Sequence, residues 1–154
     1  MDYVPNPEYM ERARLAGLQS ECLSRKVGVA LVERAPSGGV LPIVLEACNA
    51  VPEGTKPCDP CPRRAAGHAS GAGLEVCQAA HAEMRAVATA ARLGLATRGA
   101  TLYIYDCLPC KWCAGVLIAA GVERVVHLDL PDYDPLSRAL FVAAGVELVA
   151  VPRP

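Results

Sequence analysis

Neither sign of charge dominates this 154-residue chain: 15 Lys and Arg against 16 Asp and Glu leave a formal charge of −1. With the charges mixed along the sequence, there is no broad cationic face for a nucleic-acid duplex. A small substrate suits such a surface better, although a short strand is not ruled out. Apolar residues make up 53% of the chain, yet no run nears the roughly 18 uninterrupted apolar positions of a membrane span. No basic, apolar, small-residue leader opens the sequence. These absences predict a soluble, unexported, cytoplasmic protein. Internal repeats are missing too, and apart from alanine richness there is no low-complexity tract. The length suits one domain over 1–154 and is short for two.

Cysteine, by contrast, is plentiful, with eight residues. A domain this long can build a core without disulfide staples. Several of the cysteines stand in pairs with two residues between them, Cys58/Cys61 and Cys110/Cys113, a spacing that suits metal better than a disulfide framework. A reducing compartment and bound zinc are the expected setting.

Asn6-Pro7-Glu8 reads as a helix cap, first position and acidic first turn, and predicts a helix over about 7–22. Val27 to Val32 and Val40 to Ala47, separated by Ser37-Gly38-Gly39, read as a hairpin. Residues 48–78 are rich in Cys, Pro and Gly and show little periodicity. A loop so long in a small domain is usually functional or held by something other than a core. Further helices are predicted at 80–94, 110–120 and 134–144, stopped by Gly94, Gly121 and Gly145. Strands are predicted at 100–105, 123–128 and 146–151. The alternation implies an α/β domain of three layers, α/β/α, around a five-stranded mixed sheet whose later strands run parallel. The strands at 123–128 and 146–151 are apolar at both parities, as for strands covered on both faces.

The chemistry concentrates at two predicted helix starts. Cys110 and Cys113, after Pro109, fall three apart in a first turn, where the helix terminus favours thiolate. They form a two-thiolate claw for zinc, which needs a third ligand and, for catalysis, a position left for water. His81 is the natural third ligand, and Glu83, two residues on, would reach the metal's water without ligating. Each residue alone has a plainer role: a satisfied histidine, a carboxylate favouring the helix dipole, a redox Cys-x-x-Cys pair or half of a structural zinc site. The combination is what carries weight.

His81-Ala82-Glu83 with Pro109-Cys110-Lys111-Trp112-Cys113 matches the H-x-E, P-C-x-x-C signature of zinc deaminases. With Ser20 to Gly28, Asn49 to Gly54, Ala100 to Tyr103 and Ala120-Gly121-Val122 added, the chain resembles the cytidine and deoxycytidylate deaminase superfamily, and within it the deoxycytidylate branch, from about residue 8 to 150. The resemblance implies a cytidine-deaminase-like fold and Zn²⁺ on His81, Cys110 and Cys113. It implies Glu83 as the proton carrier for hydrolytic deamination, dCMP to dUMP with loss of ammonia. It places Asn49 near the sugar, and a homo-oligomer is expected. Another amino-heterocycle as substrate (a free base, a nucleoside, a modified cytosine nucleotide or an RNA base) and a non-catalytic zinc module are the competing readings.

Three departures stand out. Relatives commonly carry asparagine where this chain has Arg85, a residue that would read a phosphate or carboxylate if it faced the substrate. The link from Tyr103 to Cys110 is one residue longer than usual and adds Cys107, three before Cys110. Cys48 replaces the usual aromatic before Asn49. Arg25 with Lys26, and Arg63 with Arg64, are the cationic candidates for a phosphate. Some relatives hold a second, structural zinc near this insertion, and Cys22, Cys58, Cys61 and Cys77 are the candidate ligands here, with His68 as a substitute.

Overall fold

The computed structural model describes residues 3–34, 42–69 and 71–153. Among them five strands form one sheet in the order β2-β1-β3-β4-β5. In chain order the elements are α1 (Pro7–Leu18), β1 (Gly28–Val32), β2 (Val44–Cys48), α2 (Pro62–Ala65), a 3₁₀ turn (Leu74–Val76), α3 (Ala82–Leu93), β3 (Thr101–Ile104), α4 (Lys111–Ala119), β4 (Arg124–Leu128), α5 (Pro135–Ala143) and β5 (Glu147–Val151). β1 runs antiparallel to both β2 and β3, while β3, β4 and β5 are mutually parallel. This is the expected three-layer mixed α/β architecture. The proposed hairpin turn at Ser37-Gly38-Gly39 lies outside the described residues.

Strand alternation sorts the core into two sheets of side chains. Val29, Leu31, Leu102, Ile104 and Val125 face α3, α4 and α5, where Ala82, Ala86 and Ala90 recur at a spacing of four and meet Leu117 and Phe141. Ala30, Val32, Tyr103, Val126 and Leu128 face the other way, onto Met10 and Ala13 of α1. Small residues set how closely helix and sheet approach. A Cβ on Gly28 would lie 2.1 Å from both the Ala13 carbonyl oxygen and the Gly17 nitrogen, so backbone meets backbone where α1 crosses β1.

Three expectations need correction. Helix α1 stops at Leu18, not near residue 22, because Ser20 turns out of the helix to donate its hydroxyl to Asn49. The 48–78 stretch is not wholly irregular: Pro62 at a first helical position starts α2, and the 3₁₀ turn follows. β4 is covered on both faces, but β5 is an edge strand whose residues are only partly covered or exposed.

The strand directions gather one end of the sheet into a site. β2 and β3 both run antiparallel to β1, so their C-terminal ends lie together, where ligands sit in sheets with parallel strands. A two-residue bridge then pairs Ala50, just past β2, with Ala80, just before α3. It fixes where α3 begins.

Candidate active site

His81 is the N-cap residue of α3 and Cys110 that of α4, both with extended backbone. The two helix starts converge there. His81 Nδ1 lies 3.3 Å from Cys113 Sγ and 3.6 Å from Cys110 Sγ, and the three donor atoms all fall within 4.8 Å of one another. Among the described residues this is the one such group of His, Cys, Asp or Glu. Cys110 and Cys113 are fully buried. One imidazole and two thiols closing on a common point are the donor set of catalytic zinc, whose fourth position goes to water or substrate. The residues fit the ion.

The polarity of the group follows from these contacts. The hydrogen bond from Cys113 holds the Cys110 thiol down, to about 4, and His81 adds to the effect against burial. Cys113, on the donor side of that bond and buried, is pushed well up. The bond to Cys110 raises His81, outweighing its burial, and Glu83 contributes. Glu83 sits in the first turn of α3 at 4% exposure, and burial raises its carboxyl above the usual range. Cys113 and the charge of His81 act the other way but do not offset that burial. Glu83 is not one of the converging donors. A carboxyl buried beside a metal group, and outside it, is placed to carry protons.

Cys107, the extra thiol of the longer link, is also buried and lines the pocket that His81 and Glu83 border. Its sulfur faces Arg25 at 3.7 Å and stays out of the donor group; burial pushes its thiol up to about 11. Arg25 lines the pocket too and forms an ion pair with Asp106. Arg63 is 7% exposed and borders the pocket, donating to the carbonyls of Ala72 (2.7 Å) and Ala69 (3.2 Å). Arg64 reaches outward to Ser24.

Asn49 lines the pocket, but its side chain is also a latch. Its Oδ1 accepts from Ser20 Oγ (2.8 Å) and from the Val27 amide (2.9 Å), and its Nδ2 donates to the Arg25 carbonyl (2.8 Å). One amide N–H remains for a ligand. Arg85 is placed otherwise than a substrate role requires: it is not a pocket residue, and its guanidinium donates to the Cys48 carbonyl and lies 3.7 Å from the Cys48 sulfur. At the fourth position of α3 it faces the end of β2, a direction sequence spacing alone does not reveal.

Cys22, Cys58, Cys61 and Cys77 border a neighbouring cavity together, and burial first, then the nearness of the other three sulfurs, raises the Cys58 thiol. Their donor atoms are not within the mutual range found at His81. His68 does not border this cavity; its ring packs against Gly73. Sequence reasoning missed Tyr133. It lines the catalytic pocket, and its hydroxyl is raised by burial first and then by Cys110 and Glu83. Only its place just before the Asp134-Pro135 helix start hinted at proximity to anything.

Two helix starts thus present an imidazole and two thiols, the donor set of a single zinc ion, beside a carboxyl outside that set on an α/β sheet. Comparison with known proteins makes this specific. The cytidine and deoxycytidylate deaminase zinc-binding region matches residues 5–129, and the chain belongs to that family. A deoxycytidylate deaminase of Schizosaccharomyces pombe is 32% identical over 142 residues, 91% of this chain and 42% of that protein. A deoxycytidylate deaminase of Mycobacterium phage D29 is 35% identical over 120 residues, 75% of this chain and 87% of that one. The chain therefore spans less than half of the yeast relative and most of the phage one. Among solved structures, the dCMP deaminase of cyanophage S-TIM5 in complex with dCMP and dUMP shares the fold, with a TM-score of 0.74 at 22% identity, covering 94% of this chain and 95% of that one.

Proposed function

We propose that this chain deaminates a pyrimidine nucleotide hydrolytically, converting dCMP and water to dUMP and ammonia. The observation that carries the reading is Glu83, a buried carboxyl that stands beside the His81, Cys110 and Cys113 donors without joining them. The relatives named deoxycytidylate deaminase support the choice of substrate.

His81, Cys110 and Cys113 would hold zinc, which would supply the Lewis acidity that eases deprotonation of water near neutral pH. The chain's own residues do the rest. Glu83 takes the proton from the water as its oxygen adds to C4 of the cytosine ring, and delivers it to the ring nitrogen beside that carbon. The carbon becomes tetrahedral. Glu83 then moves the proton of the new C4 hydroxyl to the exocyclic nitrogen, which leaves as ammonia while the C4 carbonyl forms. The buried floor of the pocket excludes bulk water from this exchange. Arg25 and Arg63 bring positive charge for the 5′-phosphate, and Asn49 offers its remaining N–H to the sugar. The position of Arg85 removes it from this set.

Three further assignments accompany the reading. Cys22, Cys58, Cys61 and Cys77, which border one cavity without converging, would hold a second, structural zinc that draws their sulfurs together and orders the 48–78 stretch. The eight unpaired cysteines suit a reducing cytoplasm. Trp112, Leu136 and Val142, exposed by 63%, 50% and 66%, supply apolar surface for assembly into a homo-oligomer. No helix among the described residues is long and apolar enough to cross a membrane.

The test is a substrate panel read by ammonia release, with zinc counted in the same preparation. The expected result is turnover of dCMP well above that of deoxycytidine and cytosine, with two zinc ions per chain. Preference for an unphosphorylated compound would overturn the nucleotide reading, and one zinc in fully active protein would remove the second site.

A further inference from the structure

The start of α5 is tied to the start of α4 by two hydrogen bonds that the proposed chemistry does not use. Asp134 is the N-cap residue of α5 and of a type well suited to cap it, yet its side chain makes no cap bond to α5. Its carboxylate Oδ2 instead accepts from the Lys111 amide of α4 at 2.7 Å. Three residues on, the fully buried Ser137 donates its hydroxyl to the Pro109 carbonyl at 2.5 Å.

These two bonds fall on either side of one residue. The Pro109 carbonyl belongs to the peptide unit entering Cys110, and the Lys111 amide to the unit leaving it. Both planes that meet at the Cys110 α-carbon are thus held from α5, and only the side-chain torsion is left to aim the sulfur. An N-cap side chain ordinarily serves the amides of the second and third helical positions. The first-position amide of α4, on Lys111, would go without a protein acceptor, and Asp134 supplies one where the helix dipole favours negative charge.

We infer that Asp134 and Ser137 are positioning residues for the metal ligand Cys110: α5 supplies a borrowed cap for α4 that fixes the backbone on both sides of the thiolate. The inference rests on the proposed zinc centre. The ion-pair neighbour Asp132 is an internal control, because it belongs to the same segment and is bound to Arg138 (2.6 Å) with no bond to α4.

The experiment uses the full-length protein as wild type and as Asp134→Ala, Asp134→Asn, Ser137→Ala and Asp132→Ala. Zinc release to a competing chelator is measured, and the visible absorption of the cobalt(II)-substituted protein reports ligand geometry independently of turnover. Partners of metal ligands typically control affinity by about 10–100-fold, and Asp134→Ala and Ser137→Ala are expected to lose zinc affinity in that range with a changed cobalt spectrum. Asp134→Asn keeps an acceptor oxygen and restores both readouts, and Asp132→Ala leaves both as in wild type. Wild-type affinity and spectrum in a folded Asp134→Ala protein would overturn the inference, as would an equal loss in Asp132→Ala. If Ser137→Ala does not fold, the less buried Asp134 pair decides the matter alone. A wild type that takes up no cobalt defeats the inference together with the metal centre. One that takes it up and releases no ammonia from dCMP defeats the activity only, and the metal readouts still decide on the clamp.

Discussion

Replacing Glu83 by Gln separates proton transfer from every other property of the site. The amide has the size and shape of the carboxyl, so packing around this 4%-exposed side chain is preserved. Because Glu83 is outside the donor group, zinc content should not change. A positioned acid–base group typically contributes about 10²–10⁴ in rate, which at 1.36 kcal/mol per decade is about 3–5 kcal/mol of barrier. The structure favours the upper half of that range, since the other carboxylate lining the pocket, Asp106, is committed to Arg25 and to the Cys107 amide. No stability should be lost, because a neutral amide is easier to bury than an ionised carboxylate. The assay is initial-rate ammonia release from dCMP, with zinc per chain and Tm measured on the same sample. A zinc-loaded Glu83→Gln protein turning over within about fivefold of wild type, far short of the acid–base range, would refute the proton-carrier argument. Loss of the metal would show that the carboxyl ligates after all.

Arg85→Gln should leave KM for dCMP unchanged within about twofold while lowering stability by about 1.5–3 kcal/mol, the range for a hydrogen bond involving a charged group; a selective rise in KM would return Arg85 to the substrate site. Gly28→Ala should cost about 3 kcal/mol or more, because the added methyl meets backbone at 2.1 Å and overpacking alone costs about 1–3. Denaturant unfolding checks this, and a near-neutral effect would mean that α1 and β1 separate easily. His127 is 2% exposed, and burial lowers its pKa below the ordinary 6.5. The folded state therefore binds fewer protons than the unfolded one, and stability falls as pH drops from about 6.5 toward the lowered value. His127→Asn, which can still donate to the Leu128 carbonyl, should flatten that fall relative to wild type when Tm is followed from pH 7.5 to 5.5 at fixed zinc; identical curves would show that another group governs it.

Much of this protein is written locally. Pro7 and Pro135 at helix starts and Gly94 at a helix end are decided by the backbone geometry each residue type permits, so α1, α3 and α5 could be placed from residue order, and the β-branched runs likewise marked β1 and β4. His81, Glu83, Cys110 and Cys113 were legible for a related reason: fixed spacing in a first helical turn fixes which side chains point together. Where local rules failed, a distant partner had intervened. Ser20 leaves α1 because Asn49 recruits it, and β5 is half bare because it became an edge. Arg85 has the charge for a phosphate, but the packing of α3 on the sheet turns it to Cys48. Tyr133, Asp134 and Ser137 carry no motif at all. They reach the site because the crossover between the parallel strands β4 and β5 lays α5 beside α4, and that proximity exists only once the sheet has assembled and its faces have been covered.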